Sequence, residues 1–170
     1  DAFGKVGVVA GHSVGEFTAA AGARAITAES AITLVRERGL AMAAASAATP
    51  TGMSAVLGGD RADVLAAIAQ FNLTAANENG GGQIVAAGEL AALAALAENP
   101  PEGARVRSLS VAGAFHTSYM QPAVARMKSL STSVTVHDPR TRVISNRDGA
   151  VVHSGRTLLD RMIDQIANPV

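Results

Sequence analysis

The sequence contains no cysteine and no tryptophan, and it has a single tyrosine. Without cysteine, disulfide bonds, thiolate metal sites and a cysteine nucleophile are excluded for this chain. Aromatic residues make up only 3% of the chain, so stacking platforms for nucleic-acid bases are not expected. The hydrophobic content is nevertheless 48%. Alanine and small aliphatic side chains must therefore provide most of the packing.

The chain also lacks an excess of either charge, since Lys plus Arg and Asp plus Glu both number 14. A general electrostatic attraction to nucleic acid or to an anionic membrane is therefore not expected. No apolar run reaches the roughly 18 residues of a membrane span, and no signal-peptide pattern is present. The 170 residues are enough to bury a sizeable core. We expect a cytoplasmic protein, monomeric, with no membrane or nucleic-acid partner.

The stretch from Val6 to Phe17 contains the most informative pattern, VGVVAGHSVGEF. A β-branched apolar run ends at Gly11, Ser13 follows, and Gly15 leads into a helical segment. This strand, turn and helix context is the one required of a G-x-S-x-G nucleophile elbow. We expect a Cβ at Gly11 or at Gly15 to collide with the strand or the helix, and we expect the Val14 N–H to be the first oxyanion donor. The alternative interpretation is a serine N-cap after a buried strand.

A serine nucleophile needs a base, and histidine is the usual one. His116 is the best of the four histidines because it follows an apolar run and precedes a helix, where it can face a cleft; a structural histidine is an equal alternative. Asp60 and Asp63 lie between the serine and His116 in the chain, but a helix start explains them better, which argues against a hydrolase triad. No histidine pair has the helical spacing of a zinc site, so no metal is predicted.

Arg38 lies in a predicted helix from Ala28 to Ala48, which Pro50 ends. Around that helix it falls within an apolar arc formed by Ala31, Leu34, Val35, Gly39 and Met42. Because arginine is seldom buried without a partner, Arg38 either pairs with a carboxylate of the protein or binds an anionic ligand. A serine, a histidine and such a cation would suit a substrate with a free carboxylate, which a guanidinium holds by two parallel hydrogen bonds.

The segment from Met53 to Val111 shows the order strand, helix, strand, strand, helix, strand, which is that of a ferredoxin-like subdomain. The glycine run at residues 80–82 falls between two of these strands, so we interpret it as a plain turn and not as a phosphate loop. We therefore predict an α/β protein. Residues 1–52 and 116–170 would form an incomplete α/β-hydrolase-like core with a parallel sheet, and residues 53–115 would form the inserted ferredoxin-like subdomain.

Several motifs resemble one known family. They are GHSVGE at 11–16, RERGLAM at 36–42, TGMSAVLGG at 51–59, NEN at 77–79, GQIVAAG at 82–88, GAFHT at 113–117 and SNRDG at 145–149. Together they are similar to malonyl-CoA:acyl carrier protein transacylases and to the acyltransferase domains of polyketide and fatty acid synthases. The resemblance covers nearly the whole chain.

The resemblance implies a role for each matching residue. Ser13 matches the acylated serine, His116 the general base and Arg38 the arginine that binds the malonyl carboxylate. Val14 matches the residue whose N–H serves the oxyanion hole, and Gln165 the residue whose main-chain carbonyl orients the catalytic histidine. The implied reaction moves a malonyl group from malonyl-CoA to the phosphopantetheine thiol of acyl carrier protein, in fatty acid or polyketide biosynthesis. It uses a malonyl-serine intermediate and no cofactor.

The phenylalanine at position 115, directly before His116, is similar to the residue found there in malonyl-selective members of the family rather than in methylmalonyl-selective ones. The family also has a Gly-Gln-Gly segment near its start and further elements after the position of Val170, and neither is present in this sequence. We therefore expect a fragment lacking both ends. Two alternatives stay open: a non-catalytic remnant that binds acyl groups or carrier protein, and a serine esterase or thioesterase in which Arg38 has no role.

Overall fold

The computed structural model describes residues 5–170 and shows an α/β structure. In chain order the elements are β1 (Val8–Val9), α1 (Gly15–Gly22), α2 (Ala28–Ala48), β2 (Thr51–Gly58), α3 (Arg61–Gln70), β3 (Thr74–Gly80), β4 (Gln83–Glu89), α4 (Leu90–Glu98), β5 (Ala104–Ser108), a 3-10 turn (Ser118–Met120), α5 (Gln121–Ser131), β6 (Arg142–Ile144), β7 (Val151–Val152), α6 (Gly155–Asp164) and a 3-10 turn (Gln165–Ala167). Within the described residues, no helix combines the length and the apolar character needed to cross a bilayer.

The chain divides into two compact units. The first extends to Ala41 and resumes with Pro122–Ile166, and the second comprises Met42–Gln121 and Ala167–Val170.

The first unit contains a small sheet in the order β1-β6-β7. Strand β1 runs parallel to β6, with Val8 opposite Arg142 and Val9 opposite Val143, and β7 runs antiparallel to β6. Helix α6 begins after Ser154, whose hydroxyl accepts the Thr157 N–H at 3.3 Å. Its Leu158, Leu159, Met162 and Ile163 are fully buried, together with Phe17, Met127 and Val143. These side chains form the apolar interior of the first unit.

Helix α2 has the bounds that the sequence predicts. Thr27 accepts the Ser30 N–H at 3.1 Å at its start, and Pro50 prevents its continuation. Ala31, Leu34 and Arg38 are buried along one stripe, so the prediction of an arginine within the apolar stripe is confirmed. The placement of Gly39 on that stripe is wrong. One further step of 100° turns it away from Arg38 and toward solvent.

The second unit contains a four-stranded antiparallel sheet in the order β3-β4-β2-β5. The predicted sequence of strands and helices is confirmed. Eight buried side chains of the sheet, of α3 and α4, and of the α3–β3 connection form one core: Val56, Val64, Ile68, Leu73, Ile84, Ala86, Leu93 and Leu96. The glycine run at 80–82 forms the β3–β4 hairpin turn, and all three glycines adopt positive φ, as tight turns require.

Candidate active site

Ser13 lies in a sharp turn between β1 and α1, which confirms the predicted strand, turn and helix context. Its φ is +52°, an unusual value for a residue with a side chain. Such a conformation costs roughly 1–3 kcal/mol and persists only where surrounding contacts hold it. The Gly15 N–H donates to the His12 carbonyl at 2.9 Å, and the Glu16 N–H donates to the Ser13 carbonyl at 3.1 Å. The Val14 N–H, next after the serine, stands outside these two turn bonds.

The two flanking glycines differ in their steric role. A Cβ on Gly11 would overlap the carbonyl group of Gly15, so only glycine fits at that position. A Cβ on Gly15 would meet no atom within 4 Å. The expectation that both glycines are sterically required is therefore correct for Gly11 and wrong for Gly15. The reason is that the elbow brings the backbone of residue 15 over residue 11, while the Cβ direction of residue 15 is open.

Arg38 is directed at the serine hydroxyl. Arg38 is only 8% exposed, and its Nη2 donates to Ser13 Oγ at 2.9 Å and to Gln165 Oε1 at 3.4 Å. Its Nε is buried and has no hydrogen-bond partner among the described residues. Burial lowers the pKa of the guanidinium, and the charge of Glu16 opposes that shift. Of the two alternatives left by the sequence, direct pairing with a protein carboxylate is not what the described residues show.

Glu16 and Gln165 belong to the same cluster and are hydrogen-bonded to each other and to the Ser13 carbonyl. Glu16 is 1% exposed, and its Oε2 accepts from Gln165 Nε2 at 2.6 Å. The same Nε2 also donates to the Ser13 carbonyl at 3.0 Å. Burial raises the pKa of the Glu16 carboxyl, while the hydrogen bonds from Gln165 and from the Asn146 N–H oppose the increase. The sequence placed Glu16 in a motif but gave it no role.

Asn146 is a further residue of the site to which the sequence alone assigns no role. Its Oδ1 accepts the Ser13 N–H at 2.7 Å, and its Nδ2 donates to the Gly11 carbonyl at 2.7 Å. Its own N–H donates to Glu16 Oε1 at 2.7 Å. The signal available in the sequence is the place of this asparagine in the SNRDG motif at 145–149.

His116 belongs to the second unit and lies on the loop after β5. It is 4% exposed with φ +60°, whereas the other three histidines, His12, His137 and His153, are exposed. Its loop is held by two hydrogen bonds: the Ala114 N–H donates to Thr51 Oγ1 at 3.0 Å, and Thr117 Oγ1 donates to the Ala114 carbonyl at 2.6 Å. A buried histidine with a fixed backbone suits a positioned base, and its role remains a proposal.

The carboxylates considered for a triad have a structural function. Asp60 caps α3, since its Oδ1 accepts the Ala62 N–H at 2.8 Å and the Asp63 N–H at 3.3 Å. Among residues 5–170, no three His, Asp or Glu side chains are grouped so that they could hold a metal ion.

The first unit therefore brings Ser13, Arg38 and Gln165 together, with Val14 adjacent. A hydroxyl lies at a helix N-terminus, where backbone N–H groups and the helix dipole favour developing negative charge. A buried cation contacts that hydroxyl. This arrangement can attack an acyl carbon and hold an anionic group of the same substrate.

Comparisons with known proteins agree with this chemistry. The sequence model of the family described as "Acyl transferase domain" matches residues 4–166. The malonyl CoA-acyl carrier protein transacylase of Mycobacterium bovis is 50% identical over 167 residues, which are 98% of this chain and 55% of that protein. The crystal structure of MCAT from Mycobacterium tuberculosis has a TM-score of 0.94 and 50% identity, covering 96% of this chain and 54% of the other.

A third similar structure is described as a type II PKS acyl-carrier protein in complex with its malonyl-transacylase (PlMCAT:AntF). It has a TM-score of 0.86 and 27% identity, and the match covers 96% of this chain and 55% of the matched chain. The chain thus spans about half the length of the relatives it matches. Because the family model covers nearly all of the sequence, this chain belongs to the acyl transferase domain family.

Proposed function

We propose that the chain transfers a malonyl group from malonyl-CoA to the phosphopantetheine thiol of an acyl carrier protein, through an ester on Ser13. The observation that carries this proposal is the contact of Arg38 Nη2 with Ser13 Oγ at 2.9 Å, combined with a buried Nε that has no hydrogen-bond partner among residues 5–170. A substrate carboxylate would supply the anion that the guanidinium lacks. The names of the relatives, malonyl transacylases and one complex with a carrier protein, support the same substrates.

In the first half-reaction, His116 takes the Ser13 Oγ proton as the oxygen attacks the thioester carbon. The Val14 N–H and the N-terminus of α1 stabilise the tetrahedral oxyanion. The C–S bond then breaks, and the leaving CoA sulfur receives the proton from His116. In the second half-reaction, His116 takes the proton of the carrier thiol and the sulfur attacks the ester carbon. The bond from that carbon to Ser13 Oγ then breaks, and Ser13 Oγ receives the proton from His116.

Arg38 gives the reaction its acyl preference. A guanidinium can hold a carboxylate by two parallel hydrogen bonds. A neutral acyl group would leave the buried charge unpaired, so such substrates are disfavoured. Phe115, next to the proposed base, is consistent with a malonyl-selective site.

The proposal extends to the remaining expectations from the sequence. The main-chain carbonyl of Gln165 would orient His116, which removes the need for a triad acid. Residues 53–115 would be a ferredoxin-like insertion in a hydrolase-like core of residues 1–52 and 116–170; the strand order β3-β4-β2-β5 supports the insertion. The protein would act in fatty acid or polyketide biosynthesis, in the cytoplasm, as a monomer, without nucleic-acid, membrane or cofactor partners.

The test is the mass of holo acyl carrier protein after incubation with malonyl-CoA and the chain. The expected result is malonylated carrier that depends on both Ser13 and His116. Free malonate formed without any carrier thiol would instead indicate a thioesterase. Binding of malonyl-CoA or of carrier protein without any acyl transfer would indicate the non-catalytic remnant.

A further inference from the structure

We infer that Asn146 is a positioning residue whose carboxamide takes the place of the backbone N–H and C=O that a residue of β6 would present, and thereby holds Ser13 in its attacking conformation. This inference rests on the proposed function for its catalytic consequence. Its structural basis does not depend on the proposed function, because it consists of hydrogen bonds that Asn146 makes on both sides of His12.

The register of the small sheet places Asn146 beside the elbow. Strand β1 pairs in parallel with β6, with Val8 opposite Arg142 and Val9 opposite Val143. The same offset places Asn146 opposite His12. In a parallel ladder, a residue accepts the N–H that follows its opposite residue and donates to the carbonyl that precedes it. For His12 these groups are the Ser13 N–H and the Gly11 carbonyl.

The side chain of Asn146 bonds to both of these groups, the Ser13 N–H and the Gly11 carbonyl. Its Oδ1 accepts the Ser13 N–H and its Nδ2 donates to the Gly11 carbonyl, each at 2.7 Å. The paired backbone has ended by then, since β6 stops at Ile144. A carboxamide presents a carbonyl acceptor and an N–H donor on the same side, as the backbone N–H and C=O of a single strand residue do. It therefore continues the ladder to the nucleophile after the main chain has turned away.

These side-chain bonds hold the Ser13 backbone in place. The Asn146 N–H donates to Glu16 Oε1 at 2.7 Å, so the asparagine is itself anchored to the buried start of α1. Ser13 at φ +52° needs such contacts to stay in a sparsely populated region. The two bonds fix the peptides before and after His12, and with them the direction of the Ser13 side chain toward Arg38 Nη2.

The test compares N146A, which removes both bonds, with N146D, which keeps an acceptor for the Ser13 N–H but places an oxygen against the Gly11 carbonyl. Two quantities are measured in the full 170-residue chain: the single-turnover rate constant for malonylation of Ser13 at several malonyl-CoA concentrations, and the hydrogen-exchange rate of the Ser13 amide. The matched control is N99A, because the Asn99 carboxamide, in the other unit, also bonds a backbone carbonyl, that of Ala95, at 3.1 Å.

We expect both variants to lower the limiting acylation rate by about a hundredfold, as small misplacement of a reacting group does, with the half-saturating malonyl-CoA concentration unchanged. The final fraction of acylated chain should stay the same, which a merely structural defect would reduce. The Ser13 amide should exchange at least about tenfold faster in N146A. N99A should match the parent in both measurements.

Two results would overturn the inference: parent-like acylation together with parent-like amide exchange in N146A, or full rescue of the acylation rate by N146D. If N146A does not fold, N146D alone decides on the acylation rate. If the parent itself is not malonylated, the proposed function fails, and the exchange rate of the Ser13 amide still tests whether Asn146 holds the elbow.

Discussion

Replacement of Arg38 by alanine should change which acyl group the chain accepts more than it changes the chemistry of Ser13. In the structure the guanidinium is buried, and its hydrogen-bond acceptors are the neutral atoms Ser13 Oγ and Gln165 Oε1. The Nε has no hydrogen-bond partner in the part of the chain that the structure describes. A bound malonyl carboxylate would therefore form its charge pair with Arg38 in a largely desolvated place.

The size of the effect follows from that burial. Breaking a buried charge pair by removal of one partner costs about 3–5 kcal/mol, and each 1.4 kcal/mol is a factor of ten. R38A should thus lower kcat/KM for malonyl-CoA by about a hundredfold to a few thousandfold. The value for acetyl-CoA should stay constant or rise, because the acetyl group leaves Arg38 unpaired in the parent and no longer does so in the variant. R38K should lose most of the preference, since an ammonium lacks the two-pronged geometry.

The assay is single-turnover acylation with malonyl-CoA and acetyl-CoA in parallel, after thermal unfolding has shown that each variant is folded. R36A is the matched control: Arg36 precedes Arg38 by two residues on the same helix, its side chain is 71% exposed, and it pairs with Glu37. Its acyl preference should equal that of the parent. An equal loss for both substrates in R38A, or no loss for either, would refute the carboxylate-binding role.

Further predictions test the elbow, the base and the buried acid. G11A should lower the free energy of unfolding by about 1–3 kcal/mol or more, because its Cβ would meet backbone atoms. G15A should stay within about 0.5 kcal/mol of the parent when both are unfolded in urea. A larger loss for G15A than for G11A would contradict the steric explanation. H116A should lower the acylation rate about 10²- to 10⁴-fold, while H153A, at an exposed position, should not; equal rates would remove His116 as the base. Burial raises the folded-state pKa of Glu16 above its usual value of 4.5. Between the unfolded-state pKa and the folded-state pKa, the native state therefore binds more protons than the unfolded chain. The contribution of Glu16 to stability falls as pH rises through that window. E16Q should remove this slope in unfolding measurements across pH, and an unchanged slope would contradict the assignment.

Much of the fold follows from local patterns in the sequence. Helix α2 was predicted with its exact bounds because Thr27 and Pro50 provide strong start and stop signals. The order of strands and helices in the second unit follows from alternating runs and glycine turns. The ends of β1 were less predictable: the apolar run suggests a longer strand, but pairing with β6 covers only Val8 and Val9. Pairing depends on a strand distant in sequence, which local patterns do not report.

The candidate site was predictable only where one residue type carries the chemistry. Ser13 is marked by its glycines, and Arg38 by its place in an apolar stripe. The roles of Glu16 and Asn146 depend on contacts across 130 residues of sequence, and neither residue type identifies its partner. The open space at Gly15 was also beyond sequence reasoning, because it depends on the direction of one Cβ vector.

The most direct test of the account is the intact mass of the chain after brief incubation with malonyl-CoA, with S13A as the control. The account predicts a gain of one malonyl group on the parent, none on S13A, and loss of the group when holo acyl carrier protein is added. No gain on a folded parent, or the same gain on S13A, would contradict it.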